Sequence, residues 1–156
     1  MSIFLEPAMA GGKMINPRTK GASGEREVCT WLNSVVTELH AENGIVRPDD
    51  TPVFQRNQNQ SAVGGSDITN PFDLCIEVKR QEILQLDKWW EQCTTASDRF
   101  GGIPILLFRQ NGKRRWNAMM MVSVEIDSTT AIKCKGILSQ DNFDTWIRNY
   151  LTVNYF

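Results

Sequence analysis

The chain has 156 residues, 41% of them hydrophobic and 22% charged, a profile typical of one ordinary globular domain. No apolar run approaches the roughly 18 residues of a transmembrane helix, and the N-terminal segment lacks the basic start of a signal peptide, so we expect a cytoplasmic protein with no membrane contact. The formal net charge of −1 does not by itself indicate a nucleic-acid binder.

Residues 1–20 are rich in Gly, Pro, Met and small side chains and are predicted to form a loosely ordered arm. One domain is expected over residues 21–156. Its first element is a helix over residues 23–39, because apolar residues recur there at three- and four-residue spacing. Ser23 is expected to cap this helix and Gly44 to end it.

Short β segments are expected next, at Ile45-Val46 and Val53-Phe54. A hairpin follows the polar loop after them. Its first arm holds Asp67-Ile68, residues 69–72 supply the turn, and residues 73–80 form the second arm.

The second half of the chain contains a helix over 84–99 and a continuous apolar run over 103–108, which is typical of a buried strand. A turn at Asn111-Gly112 precedes a strand over 116–126, and a helix over 142–151 ends the chain. The order αβββαββα predicts an α/β fold in which a mixed central sheet is flanked by helices.

A basic group surrounds that turn, with Arg109, Lys113, Arg114 and Arg115 and no acid between them. A local basic patch can bind phosphates even on a nearly neutral protein. The alternative is a solvated hairpin tip, and the sequence leaves both interpretations open.

The residue types available as metal ligands narrow the chemistry. The four cysteines are widely spaced, with no Cys-x-x-Cys pair, and His40 is the only histidine. These counts argue against a cysteine- or histidine-based zinc site. Any metal ligands would be carboxylates, which favour a hard cation such as Mg²⁺ or Mn²⁺.

The second hairpin arm presents two different faces. Leu74, Ile76 and Val78 alternate with Glu77 and Lys79, so one face is apolar and the other carries a carboxylate beside an ammonium group. A buried, unpaired carboxylate would cost several kcal/mol. Glu77 therefore needs compensation, from Lys79 or from a bound cation.

Asp67 lies ten positions before Glu77. With the turn at 69–72, it falls within about one residue of being opposite Glu77, where cross-strand Cβ atoms are ~5 Å apart. Two carboxylates at that distance repel unless a divalent cation lies between them. The backbone carbonyl of Val78 could be a further ligand, and Glu25, near the start of the first helix, could reach the same site.

This combination fits phosphodiester hydrolysis. A cation held by Asp67 and Glu77 would neutralise charge on the scissile phosphate, and Lys79 would orient the attacking water. Taken singly, each residue has a plainer explanation: an exposed ion pair for Glu77 and Lys79, a turn residue for Asp67, and a helix-dipole acid for Glu25. Only the combination predicts a nuclease.

At these residues the sequence resembles the PD-(D/E)xK nuclease superfamily. Ser66-Asp67-Ile68 stands where that superfamily has Pro-Asp-hydrophobic, and Ile76-Glu77-Val78-Lys79 stands for its Glu-x-Lys. Lys20-Gly21-Ala22-Ser23-Gly24-Glu25-Arg26 is similar to the lead-in of archaeal-type Holliday junction resolvases and of short phage-encoded nucleases like them. The likeness covers about residues 20–108.

The resemblance implies a restriction-endonuclease-like αβββαβ core, Mg²⁺ or Mn²⁺ dependence, and hydrolysis that leaves a 5′-phosphate. It supports Glu25, Asp67, Glu77 and Lys79 as catalytic residues, with Asp67, Glu77, Glu25 and the Val78 carbonyl as metal ligands. Resolvases of the family act as homodimers on four-way junctions, which implies branched DNA in recombination or replication as the substrate.

DNA phosphate contacts are expected from Lys20 and Arg26, with an exposed helix cation as the alternative for Arg26. Arg56 and Arg80 could also bind DNA phosphates, although surface salt bridges are the favoured interpretation for both. Gln92 stands near the place of a helix glutamine found in some branches of the superfamily, and it would support the site indirectly. The predicted function is a metal-dependent, resolvase-like DNA endonuclease. The alternatives are a nuclease on linear DNA, of restriction or repair type, and a non-catalytic DNA-binding module with the same fold.

Overall fold

A computed structural model of the chain describes residues 17–58 and 65–156. In this part of the chain, no helix is both long enough and apolar enough to cross a membrane. The described helices and strands are α1 (Pro17–Glu42), β1 (Gln55–Arg56), β2 (Ile68–Thr69), β3 (Leu74–Gln81), α2 (Leu86–Phe100), β4 (Ile103–Gln110), β5 (Asn117–Glu125), β6 (Ala131–Ser139) and α3 (Gln140–Tyr155).

The strands form one six-stranded sheet in the order β1-β2-β3-β4-β5-β6. Neighbouring strands are antiparallel except β3 and β4, which are parallel and are connected by α2. A parallel pair needs such a crossover, because the chain must return to the same end of the sheet. The predicted α/β class, with its mixed sheet and αβββαβ core order, is confirmed.

Helices cover both faces of this sheet. On one face, α1 and α3 bury the larger apolar cluster, in which Leu32, Ile76 and Ile147 have no exposed surface. On the other face, α2 packs Trp89 and Cys93 against the sheet. Burying one large aliphatic side chain completely contributes about 1.5–3 kcal/mol, so the two clusters fix the helices on the sheet.

The first helix is longer than predicted. It begins at Pro17, so residues 17–20 are helical and Ser23 lies inside the helix instead of capping it. Proline suits the first helical position, because a backbone N–H at that position has no hydrogen-bond acceptor within the helix. The N–H that proline lacks is therefore not missed. Gly44 has a φ of +65° just after the helix end, which confirms its predicted role. Residues 1–16 of the predicted arm lie outside the described residues.

The strands expected at Ile45-Val46 and Val53-Phe54 are wrong, and β1 lies later, at Gln55–Arg56. The backbone N–H groups of Val53 and Phe54 donate instead to Oδ1 of Asn33 on α1, at 3.0 and 2.9 Å. A helix side chain thus replaces a neighbouring strand as their hydrogen-bond partner.

The sequence prediction also omitted β6, which pairs with β5 along nine residues. The last helix follows β6 directly and runs from Gln140 to Tyr155, beyond the predicted 142–151 at both ends. The backbone N–H of Asn142 donates to Oγ of Ser139, which caps the start of α3.

Candidate active site

The β2–β3 hairpin brings Asp67 and Glu77 together. Ile68 pairs with Ile76, and the backbone N–H of Asp67 donates to the carbonyl of Ile76 at 2.9 Å. The backbone N–H of Val78 donates in turn to the Asp67 carboxylate, so Asp67 bonds to the residues on both sides of Glu77. The two carboxyl groups therefore lie next to each other, as the turn position in the sequence suggested.

The turn that sets this register is held by Asn70. Its Oδ1 accepts a hydrogen bond from the backbone N–H of Phe72 at 2.9 Å, and its Nδ2 donates to the carbonyl of Leu74 at 2.8 Å. An asparagine side chain in this role imitates a backbone turn. The spacing from Asp67 to Glu77 is thus fixed by local chemistry.

The Asp67 carboxylate is held against β3. Its Oδ2 accepts a hydrogen bond from the backbone N–H of Val78 at 2.7 Å. Asp67 and Glu77 are each only 7% exposed. A short charge-assisted bond of this kind orients a carboxylate tightly.

Burial, and then the neighbouring Asp67 carboxylate, raise the pKa of Glu77 to about 9, although the Lys79 ammonium acts in the opposite direction. Both main causes penalise the charged form of Glu77. A divalent cation between the two carboxyl groups would remove this penalty and take the place of the proton.

Two cavities meet at this pair, and Asp67 and Lys79 line both of them. The first, here named the α1 cavity, has a volume of about 490 Å³, and Glu25 and Val78 also line it. The second, the α2 cavity, has a volume of about 500 Å³ and is bordered by Glu77 and by α2. Lys79 is half-buried between them, within reach of a group bound in either cavity.

Glu25 reaches the α1 cavity because α1 comes very close to β3 at the preceding residue. A Cβ atom added to Gly24 would lie 3.3 Å from Cη2 of Trp116 and 3.7 Å from Cγ1 of Val78. The Glu25 carboxylate is held by Arg56, whose Nε donates to Oε2 at 2.7 Å. Arg56 therefore makes a salt bridge, the interpretation that the sequence favoured for it.

The other predicted contacts separate into two groups. Lys20 and Arg80 line the α1 cavity, and Nε of Arg80 is buried with no hydrogen-bond partner among the described residues. Gln92 lines the α2 cavity. Arg26 is exposed on α1 and lines neither cavity, so the structure does not bring it to the site.

The location of Arg109 differs from the sequence interpretation, which grouped this residue with an exposed basic patch. It is buried, and its two terminal nitrogens donate to the Glu27 carboxylate at 2.6 and 2.9 Å. Its Cζ lies 4.6 Å from the ring centroid of Trp116. Glu27 and Trp116 carried no signal in the sequence, because their contact with Arg109 depends on the fold.

The donors at the site are all oxygen atoms, which suits a hard divalent cation. Two facing carboxyl groups, one of which otherwise holds a proton, form a fitting pair of ligands. Within residues 17–58 and 65–156, no three His, Cys, Asp or Glu side chains already converge as a metal cluster. Glu25, the third predicted acid, is engaged with Arg56.

Comparison with protein families places this chain beside a family of nucleases. The sequence model of a family described as "Phage putative PDDEXK endonuclease" matches residues 16–151. Among solved structures, the chain is similar to the Holliday junction resolvase Hjc of Archaeoglobus fulgidus, with 17% identity and a TM-score of 0.40, over 81% of this chain and 88% of that chain. A search of curated proteins found no match.

Proposed function

This chain belongs to the phage PDDEXK endonuclease family, a family of nucleases, and on that premise we propose that it is a metal-dependent endonuclease that hydrolyses phosphodiester bonds in DNA. The observation that carries the proposal is the placement of the buried Asp67 carboxyl group next to that of Glu77, with Lys79 beside them at the junction of two cavities. A surface ion pair would need neither the burial nor the second acid.

Asp67 and Glu77 are the proposed ligands of Mg²⁺ or Mn²⁺. The Val78 carbonyl and Glu25 are the remaining proposed protein ligands. When bound, the cation would stabilise negative charge on the scissile phosphate. Arg56 holds Oε2 of Glu25 in an ion pair. Glu25 can therefore bind the cation only if this ion pair loosens or if its other carboxylate oxygen, Oε1, is the ligand.

Lys79 is proposed to hold the attacking water by a hydrogen bond and to stabilise the negative charge that develops on the phosphate oxygens. The water oxygen forms a bond to phosphorus while the bond from phosphorus to the 3′ oxygen breaks. The water's proton passes to solvent or to a neighbouring carboxylate, and the departing 3′ oxygen takes up a proton from solvent, so the products are a 5′-phosphate and a 3′-hydroxyl. Lys20 and Arg80, on the wall of the α1 cavity, are proposed to hold DNA phosphates. Gln92 borders the α2 cavity and would support the site from there.

The proposed substrate is branched DNA formed in recombination or replication, cut by a homodimer in which each subunit cleaves one strand. The support is the Lys20–Arg26 segment, which resembles the lead-in of junction resolvases. The proposed place of action is the cytoplasm of a phage-infected cell, where such DNA is made. Light scattering in solution tests the dimer.

The test is cleavage of a labelled four-way junction, a linear duplex of matched sequence and a single strand, each with Mg²⁺, Mn²⁺ or EDTA. Glu77→Ala removes a proposed ligand and should lower the rate by at least ~100-fold. Glu91→Ala is the matched control, because Glu91 lines the α2 cavity from α2 but is not part of the facing pair. It should cleave at the parent rate.

Paired, metal-dependent nicks on the junction alone, lost in Glu77→Ala, would support the whole proposal. Cleavage of all three DNAs would keep the nuclease and discard the branched substrate, leaving a restriction- or repair-type enzyme on linear DNA. Binding without cleavage under every condition would overturn the enzyme in favour of a non-catalytic DNA-binding module.

Metal binding can be tested without cleavage. Mg²⁺ or Mn²⁺ at saturating concentration should raise the melting temperature of the parent, because a ligand that binds only the folded state stabilises it. The increase should disappear in Glu77→Ala and persist in Glu91→Ala. Equal increases in all three proteins would contradict the assignment of Asp67 and Glu77 as ligands.

A further inference from the structure

Three basic residues at the β4–β5 turn remain outside the site described above. Lys113, Arg114 and Arg115, here named the basic turn, are all exposed. The chain reverses at Gly112, whose φ of +81° suits a residue without a side chain. The backbone N–H of Lys113 donates to the carbonyl of Gln110 at 3.1 Å, which closes the turn.

This turn is joined to the strand that carries Glu77 and Lys79. β3 and β4 run parallel and stay in register up to Gln81 and Gln110. Beyond them, the N–H of Asn111 donates to the Gln81 carbonyl and Nε2 of Gln110 donates to the Glu82 carbonyl, both at 2.9 Å. Gln81, Glu82 and Asn111 also line the α1 cavity. The basic turn therefore starts at the rim of the proposed catalytic site.

Arg109 fixes the position of the turn. Besides its two hydrogen bonds to Glu27 of α1, it donates to the backbone carbonyl of Arg114 at 3.1 Å. A buried guanidinium thus ties the turn to α1, the helix that carries Glu25. Arg109 is a positioning residue, because it acts through the turn and is itself covered.

Two of the three cations on the turn are available for a ligand. Arg115 forms an ion pair with Asp141, in which both side chains are exposed. In the described part of the chain, the side chains of Lys113 and Arg114 form neither an ion pair nor a hydrogen bond. All three line a further cavity of about 380 Å³, together with Gln110 at the end of β4.

The spacing of these cations suits a rigid double helix. Lys79 is paired in register with Phe108, and β4 ends two residues further along, at Gln110, where the turn begins. At about 3.3 Å per strand residue, the basic turn begins about 7 Å beyond the level of the catalytic lysine. A duplex rises about 3.4 Å per base pair, so this distance corresponds to about two base pairs.

We infer that Lys113 and Arg114 hold the phosphate backbone of a double-stranded DNA arm, about two base pairs from the bond that is cut. The inference rests on the proposed function for the location of the scissile bond. It adds a requirement for substrate shape: the DNA is duplex on the side of the β4–β5 turn, whatever its form on the other side.

The test compares the double variant Lys113→Ala/Arg114→Ala with Lys133→Ala/Lys135→Ala. The control removes the same two charges from β6, at residues that pair with Ser123 and Met121 toward the far end of β5 from the turn. Binding of a fluorescent duplex is measured in EDTA at several salt concentrations, so that no cleavage is needed. Loss of two phosphate contacts should reduce the slope of log K against log salt by about 1.8.

The turn variant should bind duplex about tenfold more weakly at moderate salt and single-stranded DNA with little change, whereas the β6 variant should match the parent on both. In cleavage assays, the KM of the turn variant should rise while its kcat stays constant.

Equal weakening by both double variants would show a general effect of charge and overturn the inference. An unchanged salt slope in the turn variant would do the same, and equal losses on duplex and single strand would overturn the double-stranded assignment. If the parent cleaves nothing but only the turn variant loses salt dependence, the proposed cleavage fails and the DNA contact stands.

Discussion

At the scale of single residues, the proton on Glu77 links the site to stability. In the metal-free protein the pKa of Glu77 is about 9, because of burial and the facing Asp67, against an ordinary value of 4.5. The folded chain therefore keeps a proton that the unfolded chain releases above about pH 4.5. The free energy of unfolding should fall as the pH rises from about 4.5 to about 9.

Glu77→Gln cannot release this proton, so the variant should lose less stability than the parent over the same pH range. Urea denaturation in EDTA at pH 5 to 9 measures the difference, with Glu91→Gln as the control. Mg²⁺ should stabilise the parent more at pH 8 than at pH 6, because fewer protons compete with the cation at the higher pH. Parallel pH profiles for the parent and Glu77→Gln would contradict this account.

The Arg56–Glu25 ion pair is a second feature at this scale. Its side chains are 26% and 12% exposed, so solvent screens it only in part. Arg56→Gln should lower the free energy of unfolding by about 1–2 kcal/mol, since the buried Glu25 carboxylate would be left without its cation. Arg115→Gln, which breaks an exposed pair, should change it by less than about 0.5 kcal/mol.

A double-mutant cycle isolates the interaction. Glu25→Gln combined with Arg56→Gln should recover part of the stability that Arg56→Gln loses alone, because the unpaired charge is gone. Strictly additive losses, measured by chemical denaturation, would mean that the two side chains contribute independently.

At the scale of elements, the contact between α1 and β3 determines where Glu25 lies. Gly24→Val should lower the free energy of unfolding by about 1–3 kcal/mol, since the added atoms meet Trp116 and Val78. Because α1 would be pushed away from β3, cleavage should slow as well. Gly21→Val, where nothing lies within 4 Å, should cost no stability. Equal losses in the two variants would attribute the effect to helix propensity instead of packing.

Element prediction was most successful where the pattern was local. The apolar stripe of α1 and the alternation in β3 each follow from residues within one element. β6 also alternates, with Ile132, Cys134 and Leu138 on one side and Lys133 and Lys135 on the other. The signal was present, but much of this edge strand is exposed, so no buried apolar run marked it.

At the scale of the whole molecule, the C-terminal third supports the site from a distance. Nε1 of Trp31 on α1 donates to Oδ1 of Asp144 on α3 at 2.9 Å, and Arg148 forms an ion pair with Glu38 at 2.7 Å. The last helix thus braces the helix that carries Glu25. Residues that carried no motif in the sequence therefore contribute to the geometry of the proposed active site.

Ile147→Ala should lower the free energy of unfolding by about 2–5 kcal/mol, because it leaves a cavity under α3. Val153→Ala on the same helix should change it by less than about 0.5 kcal/mol, since Val153 is 81% exposed. Thermal or urea denaturation distinguishes the two. A loss below 1 kcal/mol for Ile147→Ala would mean that α3 is not part of the cooperative core.

The sequence by itself determined the mixed α/β class, the hairpin, and the pairing of Asp67 with Glu77 beside Lys79. These features depend on a period-two alternation and on one turn, in which Asn70 makes its own hydrogen bonds to nearby backbone. These patterns lie within about a dozen consecutive residues, so they can be predicted without knowledge of the tertiary structure.

Only the tertiary structure decided which cations remain without an ion pair in the described part of the chain. Arg56 is paired with Glu25 across 31 positions and Arg109 with Glu27 across 82, whereas the side chains of Lys113 and Arg114 form no ion pair or hydrogen bond among the described residues. Partners so distant in sequence are chosen by the packing of α1 on the sheet. The physical reason is that the role of a charged side chain depends on which oppositely charged groups the fold brings next to it. The local sequence does not specify those groups.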